Sequence, residues 1–299
     1  MKMINNMSRN ILILLILNSS VFSLSLLNPS NNSYMRTIHI PFEWEQAPDA
    51  IRYNLQASTN LSQFEDGVIL NINSIETTAY IDISNFDWDN DYYWRVRSIY
   101  NDDSLSEWSE IFRFDIGENK FPVIDATIYN EDLIQDGLVA FGGFAPGLGS
   151  AVIDKYGNEI WNTGGDIEED GSIGFILNHV NEFGNIYGLS AYNHPNNTGT
   201  KINYDLDFIW SAPTTDPAYA VDIHEIKQIP NGNYMAFVPD YQLGPIAQGN
   251  WTFIYQSIGY VADGVTDEYP WIGMRIVEWD EDGNEVWNWD PFEHFTMDD

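Results

Sequence analysis

The chain has 299 residues, 45 acidic and 12 basic, and its net charge of −33 argues against a nucleic-acid partner, since phosphate contacts need lysine and arginine. Aromatic residues make up 15% of the chain and can supply a core, so the acidity does not indicate disorder. The absence of cysteine excludes disulfides and thiolate chemistry.

Residues 1–23 have the pattern of a secretory signal peptide. Lys2 and Arg9 supply a basic start, and residues 11–17 form an apolar run. A retained anchor is the other interpretation, but that run is far shorter than the ~20 residues of a spanning helix. No later segment is apolar for long enough to span a bilayer. We therefore expect a secreted, periplasmic or cell-surface protein whose mature form has no membrane span.

The remainder of the chain is predicted to be all-β, because short alternating runs are separated by Gly, Asn, Asp and Pro turns. Residues 24–36 are polar and predict a linker. Residues 37–117 predict a sandwich domain that resembles a fibronectin type III domain through Trp44, Tyr53, Tyr92, Trp94 and Trp108. Tyr92 resembles a tyrosine corner. We expect these aromatic residues to form a core and the domain to act in spacing or docking.

Residues 118–137 are predicted to connect the sandwich to a second domain. The segment 136–150 is rich in glycine, but it lacks the Lys-Ser/Thr ending of a phosphate-binding loop. We expect instead a closely packed loop at the inner rim of a barrel or propeller, since glycine lets backbones approach.

Residues 138–299 contain an internal repeat. Residues 151–161 match 276–287, and 201–210 form a degenerate copy without the glycine; each copy reads as strand, Asp-rich turn and strand, ending in Trp. A second repeat, starting at His179 and at His224, alternates with the first. This predicts a partial β-propeller of about three blades, half of a six-bladed one. Since open sheets leave unpaired edges, we expect the chain to be a fragment or to be completed by another component.

The acidic runs 280–285 and 168–171 are predicted to be hairpin turns rather than calcium loops, because strands flank them. No cofactor is expected, although a structural calcium ion between surface carboxylates stays open. Four Trp residues close the repeats, and we expect them to pack blade against blade, with a sugar-binding platform as the alternative. They are Trp161, Trp210, Trp287 and Trp289.

Histidines are few, and four of the five lie in the repeat region. His224 is flanked by Asp222 and Glu225, which favour its charged form and fix its tautomer. Histidines from separate blades are candidates to converge on one channel mouth, against the alternative that each is structural. The candidates are His179, His194, His224 and His294.

The order of motifs resembles the arylsulfotransferase family from Leu138 onward. Residues 222–225 read Asp-Ile-His-Glu, 229–233 read Ile-Pro-Asn-Gly-Asn, and 278–289 read Glu-Trp-Asp-Glu-Asp-Gly-Asn-Glu-Val-Trp-Asn-Trp, with a histidine shortly after. The resemblance implies a six-bladed propeller that moves a sulfuryl group from an aryl sulfate donor to a phenolic acceptor. It needs no nucleotide donor, and a channel histidine is transiently sulfated.

Carried over by position, the resemblance implies roles for five residues. His224 matches the first channel histidine, expected to position sulfate, and His294 a further histidine after the last strand. Asp222, Asn233 and Arg275 are expected to bind substrate. The family's nucleophilic histidine lies beyond Asp299, so we expect activity to need a longer chain. The competing hypotheses are a non-catalytic exported propeller that binds a protein or glycan at the cell surface, and a calcium-dependent adhesin.

Overall fold

The computed structural model describes residues 24–62, 64, 67–81, 85–121, 130–143, 149–164, 174–190, 199–213 and 225–295. Within these ranges the fold is all-β, as predicted, with one short α-helix, α1 (Thr252–Ser257). The described ranges also contain 3-10 turns at Glu131–Leu133 and Pro291–Glu293. No helix in the described ranges is long and apolar enough to cross a membrane. The predicted signal peptide lies outside the described residues.

The first eight strands form a β-sandwich. One sheet has the order β1-β3-β6 and the other β2-β8-β7-β4-β5, antiparallel except for the parallel β2–β8 pair. The strands are β1 (Leu26–Asn28), β2 (Ser33–Met35), β3 (Ile40–Trp44), β4 (Arg52–Ser58), β5 (Val68–Ser74), β6 (Thr78–Ile81), β7 (Asn90–Ile99) and β8 (Phe112–Ile116).

Aromatic residues at every second position fill the space between the two sheets. On β7, Tyr92 and Trp94 are buried, and on β3 so are Phe42 and Trp44. The rings of Phe42 and Trp94 meet edge to face, with centroids 5.0 Å apart. The Tyr92 hydroxyl accepts the backbone N–H of Asp87 at 2.8 Å, the contact that a tyrosine corner makes. The predicted aromatic core of this sandwich is therefore present.

The segment 24–36 is not a linker, contrary to the prediction. It contains β1 and β2, which pair with β3 and β8. Leu26 and Met35 are 7% and 6% exposed and belong to the sandwich core. The prediction failed because each of these three-residue strands buries a single side chain, and the residues between the two strands are Pro, Ser and Asn.

The later strands form three antiparallel sheets, in each of which successive strands are neighbours. We call them the first, second and third meander. The first contains β9 (Val139–Gly143), β10 (Gly149–Ile153) and β11 (Glu159–Asn162); the second β12 (Phe175–Val180), β13 (Ile186–Ser190), β14 (Gly199–Ile202) and β15 (Phe208–Ser211); the third β16 (Ile226–Gln228), β17 (Tyr234–Pro245), β18 (Asp267–Trp279) and β19 (Glu285–Trp289).

One five-residue turn, here called the repeat turn, recurs in all three meanders. In each copy the first residue donates its N–H to the fifth carbonyl, and the fourth donates to the first carbonyl. The fourth residue has φ between +69° and +93°, which favours glycine. This confirms the hairpin prediction for 280–284, whereas 168–171 lies outside the described residues. The copies are 154–158, 181–185, 203–207, 229–233 and 280–284.

The copy without glycine shows how packing offsets backbone strain. Leu206 occupies the fourth position of its turn with φ +69°. A left-handed conformation costs a residue with a Cβ about 1–2 kcal/mol. Leu206 is 8% exposed and packs with Trp161 and Ile202, and burial of a leucine side chain stabilises by a similar ~1.5–3 kcal/mol.

The meanders stack on one another through mixed apolar clusters. Trp161 of the first meander packs with Phe175 of the second, and Tyr187 of the second with Ile226 of the third. Trp210 stacks on Tyr234, with centroids 3.7 Å apart. Packing between sheets, predicted for the Trp residues, is thus present at two of them.

Trp287 differs from that prediction. It is 48% exposed on β19, the last strand of the third meander. Trp289 stacks on His294, within its own meander.

Gly142 of the glycine-rich segment allows a close approach of two sheets. A Cβ there would lie 2.7 Å from the backbone nitrogen and 2.9 Å from the carbonyl oxygen of Leu177, in the neighbouring meander. Glycine serves close packing, as predicted, but Gly142 belongs to strand β9 rather than to a loop.

Backbone hydrogen bonds join the sandwich to the first meander. The N–H of Ile38 donates to the Ile160 carbonyl at 3.0 Å, and the N–H of Asn162 donates to the Arg36 carbonyl at 3.1 Å. Residues 36–38 thus cover part of the outer edge of β11, which would otherwise present unpaired backbone groups.

Candidate functional site

Three of the five predicted site residues lie in the described part of the chain, all in or next to the third meander. They are Asn233, Arg275 and His294. His224 and Asp222 lie outside the described residues, as does His194.

Asn233 ends the repeat turn between β16 and β17 and is bound to a carboxylate. Its side-chain amide donates to Oε1 of Glu278 at 2.6 Å, and Asn231 donates to the same oxygen at 3.0 Å. Both amides therefore fix the turn to β18. In this arrangement one amide N–H of Asn233 is used by Glu278, whose negative charge opposes the binding of an anion beside it.

Arg275 is also paired with a carboxylate. Its guanidinium lies 2.7 Å from Oε1 of Glu285 on the next strand, and both side chains are partly exposed. Glu285 further accepts the side-chain amide of Asn288 at 2.6 Å. A sulfate at Arg275 would have to displace Glu285 or share the guanidinium with it.

His294 follows the 3-10 turn after β19, and its imidazole stacks on an indole. The centroids of His294 and Trp289 are 5.2 Å apart and the rings are within 9° of parallel. His179, another predicted candidate, stacks on Tyr187 at 5.9 Å.

The structure does not bring Asn233 and Arg275 together. Arg275 is in register with Val238, five residues from Asn233 along β17. At about 3.3 Å per residue this places them roughly 17 Å apart at the backbone. Arg275 and His294 lie at the same end of the sheet, because Trp289 pairs with Ile276. The predicted substrate-binding set is therefore divided between two ends of one sheet.

A cleft of about 540 Å³ with largely apolar walls lies between the sandwich and the first two meanders. At one side the Nδ1 atom of His39 lies 3.0 Å from the Tyr80 hydroxyl. The cleft suits an apolar or aromatic group with one polar substituent. It is lined by Thr37, His39, Pro41, Tyr80, Leu138, Ala140, Val152, Ile160, Trp161, Val180, Gly184, Ile186 and Tyr204.

Sequence reasoning missed this cleft. Its walls come from positions as far apart as 37 and 204, and no spacing rule connects them. His39 has no motif around it, and the sandwich was expected to carry no chemistry. The alternating strands of both regions were the available signal, but they do not reveal how the two regions pack.

Glu159 at the start of β11 is 2% exposed and is bound entirely by hydrogen-bond donors. Its carboxylate accepts the backbone N–H groups of Lys120 (3.1 Å) and Phe121 (2.6 Å) and the side-chain amide of Asn162 (2.5 Å). Burial raises the pKa of Glu159, and these hydrogen bonds lower it in part. The carboxylate holds residues 120–121 against the first meander, which is a structural role.

Among the described residues no group of three or more His, Asp or Glu side chains is arranged to hold a metal ion. The Asp280 carboxylate accepts hydrogen bonds from Asn284 of its own turn, and these lower the pKa of Asp280.

No protein-family model and no curated protein sequence matches the chain. Among solved structures, an Fn3-like protein from Clostridium thermocellum is 18% identical with a TM-score of 0.24, over 30% of this chain and 92% of that one. The α-L-rhamnosidase of Streptomyces avermitilis is 16% identical with a TM-score of 0.23, over 32% of this chain and 11% of that one. The α-L-rhamnosidase of Dictyoglumus thermophilum is 12% identical with a TM-score of 0.27, over 91% of this chain and 29% of that one. Scores this low assign neither fold nor function.

Proposed function

We propose that the meanders are blades of a β-propeller, preceded by a fibronectin type III-like domain. We further propose that the exported protein transfers sulfuryl groups from aryl sulfates to phenols through a histidine intermediate. One observation carries the proposal: β12 contacts both β9 and β16, so the first strands of the three meanders follow one another. First strands surround the axis of a propeller. In the sequence, His224 comes two residues before β16.

The transfer divides into two displacements at sulfur. A neutral imidazole nitrogen attacks sulfur, an N–S bond forms, the bond from sulfur to the donor oxygen breaks, and the donor phenolate leaves. The acceptor phenol then attacks the same sulfur and gives up its proton as the N–S bond breaks. His224 would hold the sulfuryl oxygens during both steps, and His294 would be a further channel histidine.

The substrate-binding roles of Asn233 and Arg275 receive less support from their contacts. Both are hydrogen-bonded to glutamates, and they belong to different ends of the third meander. Among the predicted site residues, the proposal therefore depends on His224 and Asp222 rather than on these two.

The test is transfer from 4-nitrophenyl sulfate to phenol by the full natural protein. We expect release of 4-nitrophenolate and formation of phenyl sulfate. Because one lost donor to a developing anion typically costs about 10²–10³ in rate, H224A should slow transfer by that factor. H39A, in the sandwich, is the matched control and should transfer at the parental rate.

Two outcomes would contradict this proposal. If the folded protein gives no phenyl sulfate, a binding function at the cell surface is the better interpretation. If H39A loses activity and H224A keeps it, the chemistry belongs to the cleft between the sandwich and the meanders.

A further inference from the structure

The third meander carries a projecting arm that the proposed sulfuryl transfer does not use. β16 pairs with β17 only as far as Ala236, and β19 pairs with β18 only from Ile276 onward. Beyond these positions β17 and β18 continue as a two-stranded ribbon, which carries α1 and its flanking loops at its end. We call residues 239–274 the aromatic arm.

A ring-lined pocket of about 510 Å³ lies at the end of the aromatic arm. The rings support one another edge to face: the centroid of Tyr269 lies 5.4 Å from that of Tyr255, 5.5 Å from that of Tyr260 and 6.0 Å from that of Trp271. Such pairs fix ring orientation beyond what burial alone achieves. The pocket is lined by Ile246, Ala247, Trp251, Tyr255, Tyr269 and Trp271.

Internal hydrogen bonds hold the two tryptophans in place. The indole N–H of Trp251 donates to the Ala247 carbonyl at 2.8 Å, and that of Trp271 donates to the Pro245 carbonyl at 3.2 Å. Trp251 is nevertheless 49% exposed, so its ring surface is accessible while its polar atom is occupied. A ligand would find this ring already oriented, which lowers the entropy cost of binding.

Carboxylates fix the loop that follows α1. Glu268 accepts the backbone N–H groups of Val261 and Ala262 at 2.7 and 2.6 Å, and Asp263 accepts that of Val265 at 2.8 Å. These bonds order the chain around the pocket and place negative charge beside it.

From this arrangement we propose that the aromatic arm binds a neutral polysaccharide. The C–H face of a pyranose ring packs on the face of Trp251, and sugar hydroxyls exchange hydrogen bonds with the hydroxyls of Tyr255 and Tyr269. Because Asp263, Asp267 and Glu268 lie nearby in a chain of net charge −33, an anionic polysaccharide is repelled. The proposal is independent of sulfuryl transfer.

Affinity electrophoresis of the full chain tests the proposal. Native gels would contain hydroxyethylcellulose, galactomannan or dextran as neutral probes and alginate as the anionic one. We expect retardation by at least one neutral polymer and none by alginate. Because a central aromatic anchor dominates such contacts, W251A should weaken binding about tenfold, and W251F should keep part of it. W287A is the matched control, since Trp287 on β19 is 48% exposed, and it should bind as the parent does.

Parallel measurements test whether the variants fold and whether something other than a polysaccharide occupies the pocket. Unchanged melting of W251A and W287A shows that any lost binding is local. Absence of retardation by all three neutral polymers, equal binding by W251A, or equal loss in W287A would overturn the proposal. Two other results would also overturn the proposal: self-association in sedimentation that W251A abolishes, and flotation with phosphatidylcholine vesicles that W251A abolishes. Both are tested because Phe253, Ile258 and Val265 of the aromatic arm are exposed.

Discussion

At the scale of single residues, Glu159 is the ionisable group that the fold constrains most clearly. Three hydrogen-bond donors surround a carboxylate that is 2% exposed. Desolvation raises the pKa of Glu159 above that of an exposed glutamate, because burial disfavours the charged form more than these donors favour it. Folding therefore retains a proton that the unfolded chain releases.

This retention gives a prediction for the pH dependence of stability. The stabilisation from protonated Glu159 is complete below the unfolded pKa of about 4.3 and is lost as pH rises through the raised folded pKa. The free energy of unfolding of the parent, relative to that of E159Q, should fall across this window by up to about 1.4 kcal/mol per pH unit. Urea unfolding from about pH 4 to pH 8 measures the difference.

E45Q, at an exposed glutamate of the sandwich, controls for the general effect of removing one negative charge. The difference in free energy of unfolding between E45Q and the parent should not show the pH dependence expected for E159Q. A constant gap between the parent and E159Q over the whole range would show that folding does not raise the pKa of Glu159.

At the scale of elements, the repeat turn was predictable and the N-terminal strands were not. Asp-x-x-Gly-Asn specifies a turn through local hydrogen bonds and a positive φ, so 154–158 and 280–284 could be predicted from sequence. β1 and β2 depend on pairing with strands distant in sequence. Their three-residue length leaves no measurable alternation.

Adjacent leucines test whether β1 belongs to the sandwich core. Leu26 is 7% exposed and Leu27 is 44% exposed on the same strand. L26A should destabilise the sandwich by about 2 kcal/mol or more, since it removes buried methyl groups from a packed core. L27A should change stability by no more than about 0.5 kcal/mol.

Differential scanning calorimetry of both variants separates the two cases. Both variants replace a leucine with alanine on the same strand and leave the charge unchanged. The difference between their stabilities therefore reports the difference in burial. Equal and small shifts in melting temperature would show that residues 24–36 behave as the linker that the sequence predicts.

At the scale of the whole molecule, sequence patterns predicted the fold class but not how the sheets pack together. The all-β class could be predicted from the alternation around Tyr92 and Trp94, and the separate hairpins could be predicted from the repeats. How the sandwich meets the first meander could not be predicted, because Ile38 and Ile160 share a hydrogen bond without any common motif. The candidate site was harder to predict than the fold class. Asn233 and Arg275 lie near motif residues in the sequence, but this does not determine which end of a strand each one occupies.

Net charge is the remaining property of the whole chain with a measurable consequence. With 45 acidic and 12 basic residues, most carboxylates have no cationic partner, so compaction brings like charges together. Raising sodium chloride from about 0.02 M to about 0.5 M shortens the Debye length from roughly 21 Å to roughly 4 Å. The melting temperature should rise by several degrees, because screening relieves this repulsion more in the folded than in the expanded state.

Tetramethylammonium chloride at equal ionic strength separates screening from sodium binding and should give a similar rise. Calcium chloride at equal ionic strength addresses the structural ion that the sequence left open. A much larger rise that saturates at millimolar calcium would indicate a specific site, since binding to the folded state alone stabilises as the logarithm of free ligand. A melting temperature insensitive to all three salts would mean that the carboxylates are spaced widely enough, or shifted far enough in pKa, for their repulsion not to limit folding.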